Sequence, residues 1–492
     1  MSLINVVNLS FAYEGSYDNI FENVSFQIDT DWRLGFTGRN GRGKTTFLNL
    51  LLGKYEYSGT IASSVDFEYF PYEVSDPELY TIDIIKEVSP NSQDWEIMRE
   101  MSYLDVSDDV LYRQFFTLSK GEQTKALLAA LFLKQNSFLL IDEPTNHLDS
   151  GARMILSNYL KKKNGFILVS HDRVFLDNCI DHILAINKTN IEVQKGNFSS
   201  WWTNKEMQDQ YELAENEKRK KDINRLTSAA QRTSSWSDQV EKSKIGRTNS
   251  GSKIDRGFVG HKAAKMMKRS KNLETRQQTL IEEKSKLLKN IESKDTLKII
   301  PLKHHSSRLM ELTDISISYG DTPVCSNISF TIEQGDRIAL QGKNGSGKSS
   351  ILKLICGEEI PHTGTITAPA SLKISYVSQD TSDINGNLSD YAERYSIDES
   401  LFKALLRKLD FSREQFEKNI EDFSGGQKKK VLIARSLCEQ AHLYLWDEPL
   451  NFIDVISRMQ IEELLLEFEP TILFVEHDSA FCSNVATKTV QL

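Results

Sequence analysis

The eight residues 38–45, GRNGRGKT, recur at 342–349 as GKNGSGKS, and both fit the pattern GxxxxGK[ST]. Each copy follows a short apolar run with strand character (34–36 and 338–340) and opens an apolar run with helix character (47–52 and 351–355). That strand, loop, helix context is what a phosphate-binding P-loop requires. The glycines let backbone N–H groups close around phosphates, and the helix that follows adds the partial positive charge of its N-terminus. Lys44 and Lys348 are therefore expected on the β- and γ-phosphates of ATP, and Thr45 and Ser349 on Mg²⁺. Gly38, Asn40, Gly41, Gly43 and Thr46 complete the first candidate loop, and Gly342, Asn344, Gly345, Gly347 and Ser350 the second. A repeated P-loop predicts an α/β chain with two nucleotide-binding domains, and at 492 residues there is room for two cores and more.

The copies stay in step downstream. Residues 138–143 (FLLIDE) and 443–448 (LYLWDE) read as buried strands that end in two carboxylates. Asp142 and Asp447 suit the Mg²⁺ shell, and Glu143 and Glu448 suit the polarising of a water for attack on the γ-phosphate. A lone Asp-Glu pair is more often structural. Here Glu143 lies 99 residues after Lys44 and Glu448 lies 100 after Lys348, and that agreement favours the catalytic reading. Between them stand LSKGEQ (118–123) and FSGGQ (423–427), each with its serine 24 residues ahead of the glutamate and each followed by a helix-like run. A serine and a glycine-rich turn at a helix start form a second anion site, which has no phosphate to bind within its own domain.

These combined motifs resemble the ATP-binding cassette family, in which the signature of one cassette closes over the P-loop nucleotide of the other. The resemblance covers residues 1–201 and 309–492, with 202–308 between them as a linker. It implies two composite ATPase sites, one pairing Lys44 with Ser424, Gly425, Gly426 and Gln427, the other pairing Lys348 with Ser119 and Gly121. It implies that His171 and His477, 28 and 29 residues past their glutamates, are switch residues on the γ-phosphate, and that Tyr13 and Tyr319 stack on adenine. The D-loops would be 146–149 and 451–454. Gln379 fits the loop that reads Mg²⁺ and the γ-phosphate, whereas Tyr72 occupies the matching place in the first cassette. A phenol supplies no amide oxygen, and Lys120 stands where the signature usually has glycine, so the two sites need not be equivalent.

Charge directs attention to the linker. The chain carries −9 overall, yet residues 203–300 hold 23 Lys and Arg against 14 Asp and Glu, or +9, which leaves −18 on the remainder. Residues 202–235 and 261–291 are charged and helix-compatible, the second with Met266, Leu273, Leu280 and Leu287 at a seven-residue spacing. The pattern predicts an antiparallel helical hairpin, and thirty helical residues would project its tip on the order of 45 Å. The expected tip, 236–260, is glycine-rich, and from Lys242 to Lys271 ten basic residues face a single acid. Trp236, Lys242, Lys244, Ile245, Arg247, Lys253, Arg256 and Phe258 are the candidate contacts, since cations bind phosphates and rings stack on exposed bases. The plainer alternative is a solvated linker held extended by its charge.

No apolar run exceeds the eight residues 126–133, far short of the ~20 that span a bilayer, and the N-terminus lacks a signal-peptide pattern. Five scattered cysteines without CxxC spacing suit a reducing compartment. The expectation is a cytoplasmic protein with no membrane partner, acting as a monomer whose own two cassettes sandwich ATP.

Twin cassettes with a basic helical linker resemble the ABC-F family. The second Walker B continues as WDEPLNFID (446–454), similar to the antibiotic-resistance branch. The spacings 72 to 119 and 379 to 424, 47 and 45 residues, leave no room for an added arm in the first cassette. The long tip and the absence of residues beyond Leu492 are most similar to the Lsa type, tied to lincosamide, streptogramin A and pleuromutilin resistance. This resemblance implies a 70S ribosome partner, with the linker entering by the tRNA exit site toward 23S rRNA near the peptidyl-transferase centre and tRNA in the peptidyl site, displacing drug. A housekeeping ABC-F translation factor shares nearly every motif. The ATPase component of an exporter would want a short linker and a docking groove for membrane coupling helices, and the sequence offers neither the short linker nor a membrane domain.

Overall fold

A computed structural model of the chain describes residues 2–14, 19–146, 148–187, 190–242, 261, 264–273, 275–276, 278–279, 301–320, 322–343 and 345–492. Contacts group Met1–Ser199 with Lys294–Leu492 in one unit and Ser200–Ser293 in a second.

In the first unit, each cassette is built on a mainly parallel sheet whose strands are apolar on both faces, as burial between layers demands. The first sheet runs in the order Asp66–Phe70, Ser137–Asp142, Phe166–Val169, Arg33–Gly38, His182–Ile186, Ile191–Lys195, only the last strand antiparallel to its neighbour. The second runs Ile374–Val377, Leu443–Asp447, Ile472–Val475, Arg337–Gln341, Lys488–Gln491. Both P-loops thus leave a central strand, and both Asp-Glu pairs end the strand two places along. An antiparallel three-stranded sheet covers one face of each: Phe21–Asp29, Leu3–Phe11, Ser58–Ala62 in the first, and Thr322–Glu333, Arg308–Tyr319, His362–Thr367 in the second.

The first P-loop helix, Lys44–Leu51, is pinned between these layers. Phe47 is fully buried against Phe21, Phe26 and Phe36 at ring distances of 5.6–6.1 Å. Burying a Phe or Leu side chain contributes about 1.5–3 kcal/mol, so this face holds the phosphate loop's helix in place. In the second cassette Ile351, Leu352 and Ile355 of Lys348–Ile355 do the same against Ile338 and Leu340. A helical subdomain joins each sheet through its signature helix, Lys120–Leu133 or Gly425–Cys438. Trp446 is buried beneath the second of these, with its indole N–H donating to Ser436 Oγ at 3.0 Å. Leu302 N–H already bonds Ala441 O and His304 N–H bonds Gln334, so residues of the expected linker before 309 are tied to the second cassette.

The second unit holds most of a 45-residue helix, Phe198–Lys242, and helical residues among 261–279. The helix corrects the expected boundary at 235: Trp236 and Lys242 are helical, because nothing before Gly246 breaks the pattern. Trp236 is exposed. Lys244, Ile245, Arg247, Lys253, Arg256 and Phe258, with Leu280 and Leu287 of the heptad spacing, lie outside the described residues. Among the described residues no helix is long and apolar enough to cross a membrane.

Candidate nucleotide sites

Both P-loops are preformed. Gly43 has φ +91°, and a Cβ there would come within 2.5 Å of Ile20 Cγ2, so only glycine fits. Lys44 Nζ folds back on Gly38 O (2.7 Å), Arg39 O (3.1 Å) and Asn40 Oδ1 (3.3 Å). Lys348 Nζ bonds Gly342 O and Lys343 O, both at 2.9 Å. Burial lowers both ammonium pKa values, opposed by the carboxylates Asp454, Glu143 and Asp142 for Lys44 and Glu448, Asp447 and Asp149 for Lys348. Tyr13 OH meets Thr46 Oγ1 at 2.8 Å, and Tyr319 OH meets Ser350 Oγ at 3.1 Å. Both rings are half exposed beside their P-loops, open to a stacking partner. Asn344 lies outside the described residues.

The oxygen donors expected for Mg²⁺ come together. Thr45 Oγ1 donates to Asp142 Oδ2 at 3.2 Å, and Ser349 bonds Asp447. Burial raises both aspartate pKa values despite these bonds, and Asp447 Oδ1 is buried with no hydrogen-bond partner. One hydroxyl beside one carboxylate, with an oxygen of Asp447 left without a partner, fits a hard cation that takes its remaining oxygens from phosphate and water.

Glu143 and Glu448 each follow the last residue of their strand in left-handed backbone geometry, at φ +51° and +45°. Non-glycine residues adopt this conformation at a cost, and here it turns the carboxylate out of the sheet toward His171 or His477. His171 Nε2 lies 3.2 Å from Glu143 Oε1 without hydrogen-bond geometry, leaving that buried oxygen unsatisfied. His477 Nε2 lies 3.4 Å from Glu448 Oε1.

The two glutamates differ in their surroundings. Strand register pairs Phe70 with Ile141 and Val377 with Trp446, so Tyr72 and Gln379 occupy the same place two residues on. Gln379 Nε2 donates to Glu448 Oε2 at 2.8 Å and Asn451 Nδ2 at 2.7 Å. Burial pushes the Glu448 carboxyl up, but His477, Asn451 and Lys348 bring it below its ordinary value. Tyr72 makes no such bond, and burial, then the Asp142 charge, push Glu143 up to about 8. Burial, then Lys44 and Arg458, hold the His171 pKa well below its ordinary value.

The signature serines cap their helices. Ser119 Oγ accepts Glu122 N–H at 3.2 Å and Ser424 Oγ accepts Gln427 N–H at 3.4 Å, each in a reciprocal capping box. The glycine-rich turn read from the sequence is thus the helix's own first turn, containing Gly121, Gly425 and Gly426. Glu122 stands where the second signature has Gln427, and its carboxylate accepts the Ser119 hydroxyl at 2.7 Å. Lys120 reaches Gln123 Oε1 at 3.1 Å.

Each signature faces the other cassette's P-loop. A cavity of about 870 Å³ is lined by Ser119, Gly121, Lys348, Ser349, Tyr319 and Gln379, among others from both cassettes. On the other side the contact is direct. Asn40 Nδ2 donates to Phe452 O at 2.7 Å, and a Cβ on Gly426 would come within 2.3 Å of that oxygen. Arg42 Nη2 reaches both oxygens of Asp410 at 3.3–3.4 Å, and the buried Arg39 reaches Asp410 at 3.8 Å and Ser457 Oγ at 3.5 Å. Lys430, Arg39 and Lys44 hold the buried Asp454 well below the carboxylate range, against the effect of burial.

Several participants were missed in the sequence. Arg39 and Arg42 occupy the free x positions of the P-loop pattern, and their partner Asp410 carries no motif. Tyr69 OH donates to Asp142 Oδ2 at 3.1 Å, while the equivalent Tyr376 OH is buried without a partner. Only the repeat of tyrosine three residues before Tyr72 and Gln379 signalled them.

Paired P-loops, strand-end carboxylates and signature caps on twin sheets define a tandem-cassette ATPase. The family described as ABC transporter matches residues 21–146 and 325–451, and the chain belongs to it, as a member of its ABC-F group. The ribosome protection protein VmlR of Bacillus subtilis (strain 168) is 28% identical over 489 residues, 97% of this chain and 84% of the relative. The energy-dependent translational throttle protein EttA of Escherichia coli O6:H1 is 25% identical over 522 residues, 95% of this chain and 88% of the relative. Among solved structures, the archaeal ribosome recycling factor aABCE1, in complex with the ribosomal stalk protein aP1, shares the fold at a TM-score of 0.64 and 18% identity, over 98% of this chain and 87% of that one.

Proposed function

We propose that this chain is an ATP-switched, cytoplasmic ribosome-binding protein that protects the 70S particle from drugs of the peptidyl-transferase centre. The observation that carries the reading is the 45-residue helix Phe198–Lys242. At 1.5 Å per residue it is about 68 Å long. Its exposed, charged surface leads into the most basic stretch of the chain, the composition expected of an element that works on folded RNA. The VmlR relative, a ribosome protection protein similar over nearly the whole chain, supports the same assignment.

In this reading ATP binds at two composite sites, Lys44 with Ser424 and Lys348 with Ser119, and draws the cassettes of one monomer together. Thr45 with Asp142 and Ser349 with Asp447 would hold Mg²⁺, which supplies charge neutralisation at the β- and γ-phosphates when bound. Glu143 and Glu448 orient the attacking water, His171 and His477 attend the γ-phosphate, and hydrolysis releases the protein. The linker residues, with the tip of the Lsa-type resemblance, reach 23S rRNA by the tRNA exit site and reshape the drug pocket or the peptidyl-site tRNA. The coupling is the higher affinity of both ATP and ribosome for the closed state.

The test is Glu143→Gln with Glu448→Gln, which retains ATP uncleaved. The double variant is expected to pellet with 70S ribosomes in ATP well above wild type, and pelleting no better than wild type would overturn the assignment. A housekeeping translation factor is the second reading, favoured by the similarity to EttA. Growth on lincomycin after expression separates the two, since only the protecting protein raises tolerance.

A further inference from the structure

One guanidinium grips three loops. Arg153, four residues past Asp149 on the helix Ser150–Leu160, is largely buried. Its Nε donates to Leu148 O at 3.0 Å, its Nη1 to Asp172 Oδ2 at 3.0 Å, and the same Nη1 to His477 O of the other cassette at 3.3 Å. Asp172 adjoins His171, whose ring is 3.2 Å from Glu143, and the ring of His477 is 3.4 Å from Glu448. Arg153 therefore stands one residue from one switch histidine and on the backbone of the other.

The second cassette repeats the arginine but not the crossing. Arg458 Nε donates to Ile453 O at 2.9 Å and its Nη1 to Asp478 Oδ2 at 3.1 Å. Among the described residues it makes no bond to the His171 carbonyl. A sequence difference accompanies this: Glu476 stands where the first cassette has Ser170. That buried carboxylate accepts Leu450 N–H at 2.7 Å and His477 N–H at 3.1 Å, and it draws on the Arg458 charge. Arg458 pairs with one carboxylate of its own cassette, Asp478, while its charge is felt at Glu476 and, in the other cassette, at His171 and Glu143 without a bond to either. Arg153 pairs likewise with Asp172, and the same Nη1 also donates across to the His477 carbonyl.

We propose that Arg153 is a positioning residue that transmits the state of the Glu143 site to His477, and hence to cleavage at Glu448. Arg458, which among the described residues makes no bond across, does not return the signal by that route. The inference rests on the reading that both sites cleave ATP. It requires no movement larger than a shift of one switch loop, because a rigid planar fork bonded to both loops cannot follow one without pulling on the other.

The experiment is a double-mutant cycle on the full-length protein, reading steady-state ATP turnover. Glu143→Gln holds the first site uncleaved, so the remaining turnover belongs to the second. With Arg153 present, Glu143→Gln is expected to change turnover at the second site by about fivefold or more, the lower end of typical coupling. With Arg153→Met the same change is expected to have less than about twofold effect. Arg153→Lys keeps a cation beside Asp172 and protects the fold, but a single ammonium cannot span the three acceptors, so it too is expected to uncouple. Equal factors in the Arg153, Arg153→Lys and Arg153→Met proteins would overturn the proposal. So would uncoupling by Arg458→Met as complete as that by Arg153→Met. Ribosome pelleting by the Glu143→Gln, Glu448→Gln protein tests the broader reading separately, so equal factors alongside intact pelleting discard the coupling alone.

Discussion

Arg42 bridges to Asp410 across the cassettes at 3.3–3.4 Å, and the chain does not repeat that pair on the other side. Ser346 takes the place of Arg42 in the second P-loop, Lys343 that of Arg39, and Ala152 that of Ser457. Asp105 is the counterpart of Asp410 in the first cassette, and the second P-loop has a hydroxyl at the position where the first has the Arg42 guanidinium. The first P-loop is latched to the second cassette by its own side chains. The second opens on the 870 Å³ cavity.

Asp410→Asn is expected to speed release of a fluorescent ATP analogue from the slower of two kinetic phases by about 2–5-fold. The pair is partly exposed, and such ion pairs contribute at most about 1 kcal/mol. Asp105→Asn should leave both phases unchanged. Stopped-flow displacement by excess ATP reads both, and equal acceleration by the two variants would remove the latch from the account.

Opposite shifts on the two glutamates make the sites distinguishable by pH. A water-orienting carboxylate must be ionised, and burial pushes Glu143 up to about 8 while its bonds and neighbours hold Glu448 below its ordinary value. Turnover in Glu448→Gln, which reports the first site, is expected to climb between pH 7 and 9. Turnover in Glu143→Gln is expected to be flat over that range. Tyr72→Gln restores to the first site the donor that Gln379 gives Glu448, so in the Glu448→Gln protein it should move the midpoint toward lower pH, by about one unit for a bond worth about 1.4 kcal/mol. A midpoint that stays in place would show that the missing amide is not what sets the Glu143 site apart from the Glu448 site.

What could be read in the sequence was whatever recurs. Lys44 and Lys348, Asp142 and Asp447, Ser119 and Ser424 stand at matched spacings because backbone cradles and strand ends dictate them in each copy separately. The twin α/β cassettes followed from the same repetition. What could not be read belongs to one copy only or depends on which surfaces meet. Arg39 and Asp410 are 371 positions apart, and no periodicity links them. Arg153 looks like an ordinary helix residue until the His477 carbonyl arrives beside it. The expected stop at 235 fell short for another reason: Trp236, Ser237 and Asp238 are weak helix formers but not breakers, and a helix already running passes through them.

Gly121 and Gly426 hold equivalent places in the two signature helices, yet alanine should be felt differently at each. A Cβ on Gly426 would come within 2.3 Å of Phe452 O, a backbone atom held by Asn40, whereas on Gly121 it would meet only Leu148 Cδ2 at 3.3 Å. Helix propensity favours alanine at both by up to about 1 kcal/mol, so thermal unfolding should not fall for Gly121→Ala, whereas the backbone clash at Gly426 should lower it for Gly426→Ala. Turnover with Gly426→Ala is expected to drop by about tenfold, and with Gly121→Ala by less than about threefold. Similar losses in the two proteins would mean that the closeness to Phe452 has no part in the cycle.

The helix Phe198–Lys242 makes the final prediction, because an exposed helix can be broken without disturbing a core. Lys220 lies near its middle, exposed and helical. Proline there removes a backbone donor and clashes with the preceding turn, at a cost of about 3 kcal/mol, and kinks or divides the helix. Lys220→Ala removes the same charge and keeps the helix. If the linker acts as a stiff element on the ribosome, Lys220→Pro should lower lincomycin tolerance to that of cells lacking the protein, with ribosome-free ATP turnover within about twofold of wild type. Lys220→Ala should retain most of the tolerance. Full tolerance with proline at 220 would mean that the helix's continuity is not what protects, and the argument from its length would fall with it.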